Sequence, residues 1–118
     1  MKKILIVDDD EDIVSLLENL LKIYNFESQV AWSGEEALKK SQNHPDLILL
    51  DIGLAGVHGF HVLEELKKNP ETRSIPVVVV SSFNKQEQIR EAKSLGAADY
   101  VTKPFDIADL VARIKKFI

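Results

Sequence analysis

The feature that most constrains the fold of this chain is an alternation, repeated five times, of a short strand-like run with a stretch of helical periodicity. The runs are Ile4 to Val7, Ser28 to Trp32, Leu47 to Leu50, Val77 to Val80 and Tyr100 to Thr102. Three of them are continuously apolar, as expected of strands buried on both faces of a parallel sheet. After the first run, Ile13, Leu16, Leu17, Leu20 and Leu21 repeat at three- and four-residue steps and predict one apolar stripe, on a helix that Asn25 can end. A second helix is predicted from the capping box Ser33-Gly34-Glu35-Glu36, and a third from Gly59 to Lys68 with Phe60, Leu63 and Leu66 inward. A fourth begins at Asn84, with Glu87 three residues on, and stops at Gly96. The fifth starts at Asp106, with Ile107, Leu110, Val111 and Ile114 inward.

Five such units without an internal linker predict one α/β domain over residues 1–118. The expected architecture is a doubly wound, five-stranded parallel sheet of order 2-1-3-4-5, with five helices over both faces. The 118 residues suffice for a core of their own. Composition removes several function classes. The net charge of -4 is mild and the basic residues are scattered in pairs, which argues against nucleic-acid binding by this chain. The absence of cysteine excludes disulfides and thiolate metal sites, and suits a reducing cytoplasm. Ile4 to Val7 is too short for a signal-peptide core, and no segment reaches membrane-spanning length.

In doubly wound sheets ligands bind beyond the carboxyl ends of the strands. Those ends carry Asp8 and Asp9, Asp51, Ser81 and Lys103. Within the acidic run Asp8 to Asp12, residues 10 to 12 suit a helix N-terminus, where acids cap free N–H groups and favour the macrodipole. Asp8 and Asp9 sit at the strand end instead, facing the same edge as Asp51. Two carboxylates about 4 Å apart repel by roughly 4 kcal/mol at an effective dielectric near 20, so a cation is the natural compensation. Oxygen ligands without histidine or cysteine favour magnesium. A carboxylate beside a bound divalent cation can act as a nucleophile toward phosphorus, with Lys103 and the Ser81 hydroxyl positioned for the phosphoryl oxygens. Taken singly, Asp51 could cap a turn, Ser81 could end a strand and Lys103 could be solvated.

"ILIVDDDEDI", "PDLILLDIGLAGVHGF", "IPVVVVSSFN" and "GAADYVTKPF" resemble, in order and spacing, the blocks of the response-regulator receiver domain of two-component signalling, across essentially the whole chain. The resemblance implies a flavodoxin-like fold and a phosphorylation-activated switch rather than an enzyme with a separate substrate. It implies Asp51 as phosphoacceptor, with Mg2+ (Mn2+ as the alternative ion) held by Asp8, Asp9, Asp51 and the Gly53 carbonyl. Ser81 and Tyr100 are then the switch residues, Lys103 binds phosphate, and the Lys103-Pro104 bond is cis. Gly53 and Phe83 occupy positions that tune phosphate loss, with opposing effects.

The implied partners are a histidine kinase or phosphotransfer protein docking near the first helix, acetyl phosphate as a small donor, and an attached or separate output domain. A phosphorylation-dependent homodimer through the fourth helix, fifth strand and fifth helix is a further expectation. Asp99 and Arg113 lie where some relatives form ion pairs between subunits, although Ala98 replaces an acid often found there. The implied location is cytoplasmic, without membrane insertion. Ala55, where a proline is usual, and His58, where an acid is common, depart from the family pattern and bear on the shape of the loop from Ile52 to Gly59. His58 and His61 are read as surface histidines without an acid at ligand spacing. The competing reading is a receiver-shaped interaction module that is never phosphorylated. A phosphatase or phosphotransferase with an aspartyl intermediate needs a second acid two residues after Asp51, where Gly53 stands. A flavin site needs a first loop less acidic than this one.

Overall fold

The computed structural model describes residues 1–54 and 58–118. The chain runs β1 (Lys3–Val7), α1 (Glu11–Ile23), β2 (Glu27–Ala31), α2 (Gly34–Lys40), a short 3-10 turn (Ser41–Asn43), β3 (Leu47–Leu50), α3 (Gly59–Lys68), β4 (Val77–Ser81), α4 (Gln86–Ser94), β5 (Asp99–Thr102) and α5 (Ile107–Phe117). The five strands form one parallel sheet in the order β2-β1-β3-β4-β5, the doubly wound arrangement expected from the alternation.

The period of two along each strand divides the core. Leu5, Val7, Ile48, Leu50, Val77 and Val79 pack with Ala37 of α2, Val62, Leu63 and Leu66 of α3 and Ala92 of α4. Their neighbours Ile4, Ile6, Leu47, Leu49, Val78 and Val80 face the other way, onto Val14, Leu17, Leu20 and Leu21 of α1 and Leu110, Val111 and Ile114 of α5. Each face therefore buries its own apolar set, which is why the inner strands read as unbroken apolar runs.

The helix ends follow local chemistry. Asp10 caps α1, its side chain accepting from the Asp12 and Ile13 N–H groups, and Asp106 caps α5 by accepting from Asp109 N–H. Ser33 Oγ accepts from Glu36 N–H at 3.2 Å. The expected reciprocal half of that box is replaced by a Glu36–Lys40 ion pair. Asn25 (φ 65°) closes α1: Phe26 N–H donates to Leu21 O and Asn25 N–H to Lys22 O. Gly96 (φ 109°) closes α4 by the same pattern. Gly59 has a different reason to be glycine, because a Cβ there would lie 2.2 Å from Ile52 Cα.

Three local expectations need correction. Helix α4 begins at Gln86 rather than after an Asn84 cap, and Lys85 N–H donates to Gln88 Oε1 instead. Leu16 is 43% exposed and Val14 takes its place in the α1 stripe; Ile107 at the start of α5 is 46% exposed. Both exposed residues sit one helical position away from the sheet-facing arc. The expectation attached to Ala55 lies outside the described residues.

Candidate functional site

Strand register brings the predicted residues together. Ala31, Val7, Leu50, Val79 and Tyr100 are level across the sheet. Asp8 and Asp51, each one residue beyond that row, therefore emerge side by side. Backbone bonds fix both exits: Asp8 N–H donates to Ala31 O at 3.2 Å, and Asp51 N–H to Val7 O at 2.9 Å. On the far strand Lys103 N–H donates to Ser81 O at 2.8 Å, and the Lys103-Pro104 peptide bond is cis.

Asp8, Asp9 and Asp51 each offer one carboxylate oxygen within 4.8 Å of the other two. Asp8 is buried, and its Oδ1 accepts from Asp10 N–H at 3.0 Å. The Lys103 ammonium bridges the pair, 2.8 Å from Asp8 Oδ2 and 3.3 Å from Asp51 Oδ2. Asp51 Oδ1 accepts from Gly53 N–H at 2.9 Å, which places that glycine against the carboxylate. One lysine among three carboxylates leaves the group net acidic. Burial pushes the Asp8 carboxyl above its ordinary pKa; the Lys103 and Asp10 hydrogen bonds oppose this and the Asp51 charge adds to it. Burial pulls the Lys103 ammonium down, but the Asp8 hydrogen bond and the two carboxylate charges outweigh it, so its pKa lies above that of an ordinary lysine. A purely oxygen donor set of this charge and spacing fits a hard divalent cation, with Mg2+ keeping waters in its remaining positions.

Ser81, the last residue of β4, is fully buried and its Oγ accepts from Phe83 N–H at 3.2 Å. The Tyr100 hydroxyl donates to the carbonyl of the same Phe83 at 2.6 Å. Tyr100 is 7% exposed and packs into the α2–α3–α4 side of the core. Burial raises its phenol, the Ser81 hydroxyl works the other way, and the Asp51 charge adds to the rise. The Phe83 ring also reaches the site: a Cβ on Gly53 would meet Phe83 Cζ and Asp51 Oδ1, each at 3.4 Å. Phe83 is thus bonded through its backbone to both Ser81 and Tyr100, a junction that sequence reasoning missed because it consists of main-chain atoms.

Two further predictions meet the structure differently. Asp99 and Arg113 pair within the chain, Arg113 Nη1 standing 2.8 Å from Asp99 Oδ1 while its Nε bonds Asp109. The expectation that no acid stands at ligand spacing from His58 or His61 fails for His61. Glu64 and Glu65 follow His61 at three and four residues, on the same face of α3. His58 has a separate task, its Nδ1 accepting from Phe60 N–H at 3.2 Å as the N-cap of α3.

Comparison with known proteins agrees with this fold. The family model described as the response regulator receiver domain matches residues 4–115. The chain is 38% identical over 118 residues to the transcriptional regulatory protein CpxR of Klebsiella pneumoniae, covering 100% of this chain and 50% of that protein. It is 40% identical over 114 residues to the response regulator PleD of Caulobacter vibrioides, covering 96% of this chain and 25% of that one. The chain thus spans half or less of the length of these two relatives. Among solved structures, a response regulator described as putative from Chloroflexus aurantiacus superposes with a TM-score of 0.93 at 32% identity, covering 98% of this chain and 96% of its own. The chemotaxis protein CheY4 of Vibrio cholerae gives 0.93 at 26%, covering 100% and 99%. The five-unit sheet and the sequence blocks at its carboxyl edge identify this chain as a member of the response regulator receiver domain family.

Proposed function

We propose that this receiver domain is a phosphorylation-activated switch in which Asp51 accepts a phosphoryl group from a histidine kinase or phosphotransfer protein. The observation that carries the reading is the convergence of Asp8, Asp9 and Asp51 around a lysine that bridges two of them. In the transfer an Asp51 carboxylate oxygen attacks phosphorus, the phosphorus–nitrogen bond of the donor phosphohistidine breaks, and its electron pair stays with the imidazole. Asp8, Asp9, Asp51 and the Gly53 carbonyl would hold Mg2+ or Mn2+, which would supply charge neutralisation at the phosphoryl oxygens. Lys103 exchanges a carboxylate partner for a phosphoryl oxygen, a charge-assisted bond on a side chain already in place.

The readout follows from the same contacts. A phosphoryl group adds roughly 1.5 to 2 negative charges and three acceptor oxygens, and Ser81 is the nearby hydroxyl able to donate to them. Turning toward the phosphate takes the Ser81 hydroxyl from Phe83 N–H, and Phe83 is tied through its carbonyl to Tyr100. Motion at Asp51 therefore reaches β5 through one residue and alters the surface made by α4, β5 and α5. Tyr100 lies inward and is tied to the Phe83 carbonyl, so a change at Ser81 and Phe83 draws Tyr100 with it.

The domain acts on itself rather than on a separate substrate, in the cytoplasm, and controls an attached or separate output domain. We expect the donor to dock near α1, which begins beside the acidic carboxyl edge and carries the exposed Leu16. A homodimer through α4, β5 and α5 would have to redirect the internal Arg113–Asp99 pair, so we expect phosphorylation to be needed for it.

Intact mass after incubation with acetyl phosphate and magnesium tests the reading. One phosphoryl group is expected on the wild type, and none on Asp51→Asn or in chelator. An adduct that persists in Asp51→Asn contradicts it. The absence both of an adduct and of a beryllium fluoride complex favours the interaction module that is never phosphorylated.

A further inference from the structure

Helix α3 carries a second group of metal-ligating atoms, remote in kind from the acidic pocket. His61, Glu64 and Glu65 stand at i, i+3 and i+4, and each offers a ligand atom within 4.8 Å of the other two. They occupy the face of α3 opposite its core contacts, because Val62, Leu63 and Leu66 take the buried side. His61 Nε2 is 4.0 Å from Glu65 Oε1, beyond hydrogen-bonding distance.

The geometry points to a surface chelate for a borderline transition-metal cation, Zn2+ in the first instance, built from His61 Nε2 and one oxygen each of Glu64 and Glu65. Around a tetrahedral zinc ion with bonds of 2.0 to 2.2 Å, ligand atoms stand about 3.3 Å apart. The His61–Glu65 separation needs to close by only about 0.7 Å, and both side chains are roughly half exposed and free to turn. Glu64 gives up an exposed pair with Lys68 at 3.5 Å, a contact of small worth. Water completes the coordination. The imidazole separates the two sites chemically. Mg2+ favours the all-carboxylate pocket, whereas a nitrogen donor favours zinc, nickel or copper. His58 stays outside the chelate, its Nδ1 being committed to the α3 N-cap.

The test is calorimetric titration of the whole chain with zinc chloride in excess magnesium chloride, which keeps the acidic pocket occupied, with the histidine ring protons followed by NMR. One zinc per chain is expected, shifting the resonances of His61 and not those of His44 or His58. His61→Ala should lower the affinity about tenfold or more, since even loss of a residue supporting a ligand costs that much. The double variant Glu64→Gln, Glu65→Gln should do the same while leaving the imidazole in place. Far-UV circular dichroism checks that the variants keep α3, and His61→Asn repeats the test with a side chain of closer shape. Zinc binding that survives His61→Ala and His61→Asn overturns the proposal. So does binding that persists in the double glutamine variant, which would mark a lone exposed imidazole. A zinc site that disappears in excess magnesium belongs to the acidic pocket and also overturns it.

Discussion

The strand interiors and the carboxyl edge of the same sheet are built on opposite principles. From Ile4 to Val7, Leu47 to Leu50 and Val77 to Val80, every side chain is buried and apolar, and each fills one of two clusters. One residue further along β1 and β3 the chain places carboxylates side by side, and one of them, Asp8, is as buried as the core. Apolar burial contributes roughly 25 cal/mol per Å2, while gathering like charges in a partly dry pocket costs several kcal/mol. The body of the sheet therefore stabilises the fold, and its edge draws on that stability to hold like charges together. Substitutions should sort accordingly.

The largest effect is expected in the body. Ile48→Ala, on the central strand, should lower the unfolding free energy by about 2 to 5 kcal/mol in a denaturant titration while leaving magnesium affinity unchanged. Next comes the edge residue that offsets the acids. Lys103→Met removes the ammonium between Asp8 and Asp51 and should cost about 2 to 3 kcal/mol in chelator, below the range for a fully buried pair because Lys103 keeps 14% of its side chain exposed. Adding magnesium should return part of that loss, which no core variant would show.

A pH series sharpens the contrast. The folded pKa of Asp8 is raised above its ordinary 3.8, so between these two values the folded state holds more protons than the unfolded one. The stability of metal-free wild type relative to Asp8→Asn should therefore fall as pH rises through that window, and be flat below it. The smallest effect belongs to the rim of the site. His58→Asp gives α3 a better N-cap and a favourable charge at its N-terminus, and should add up to about 1 kcal/mol in thermal melts.

The same division explains what could be read from the sequence. Continuous apolar runs and helix stripes report burial directly, so the five units and their order were legible. The caps at Asp10, Ser33 and Asp106 and the left-handed Asn25 and Gly96 were legible too, because each depends on a few neighbouring residues. Leu16 and Ile107 misled because a stripe drawn by periodicity does not say where its margin meets solvent. Asn84 misled because cap chemistry alone does not fix which residue makes the turn. At the edge, topology was enough to gather Asp8, Asp9, Asp51 and Lys103. That Lys103 reaches Asp8 more closely than Asp51 depends on side-chain packing across 95 positions of sequence, which no local pattern encodes. The His61 cluster was the opposite case, fully local at i, i+3 and i+4, yet the reading of His61 as a surface histidine did not count Glu64 and Glu65 as acids at ligand spacing.

The most direct test of the contrast between body and edge is the thermal midpoint of wild type and Asp51→Asn, each in chelator and in magnesium. Asparagine keeps an oxygen for Gly53 N–H but removes one charge from the crowded pocket. The account predicts that the metal-free variant melts a few degrees higher than metal-free wild type, a gain of about 1 kcal/mol, and responds less to magnesium. A variant that melts lower than wild type in chelator, or that keeps the full response to magnesium, would contradict a site whose carboxylates are held together at the expense of the fold.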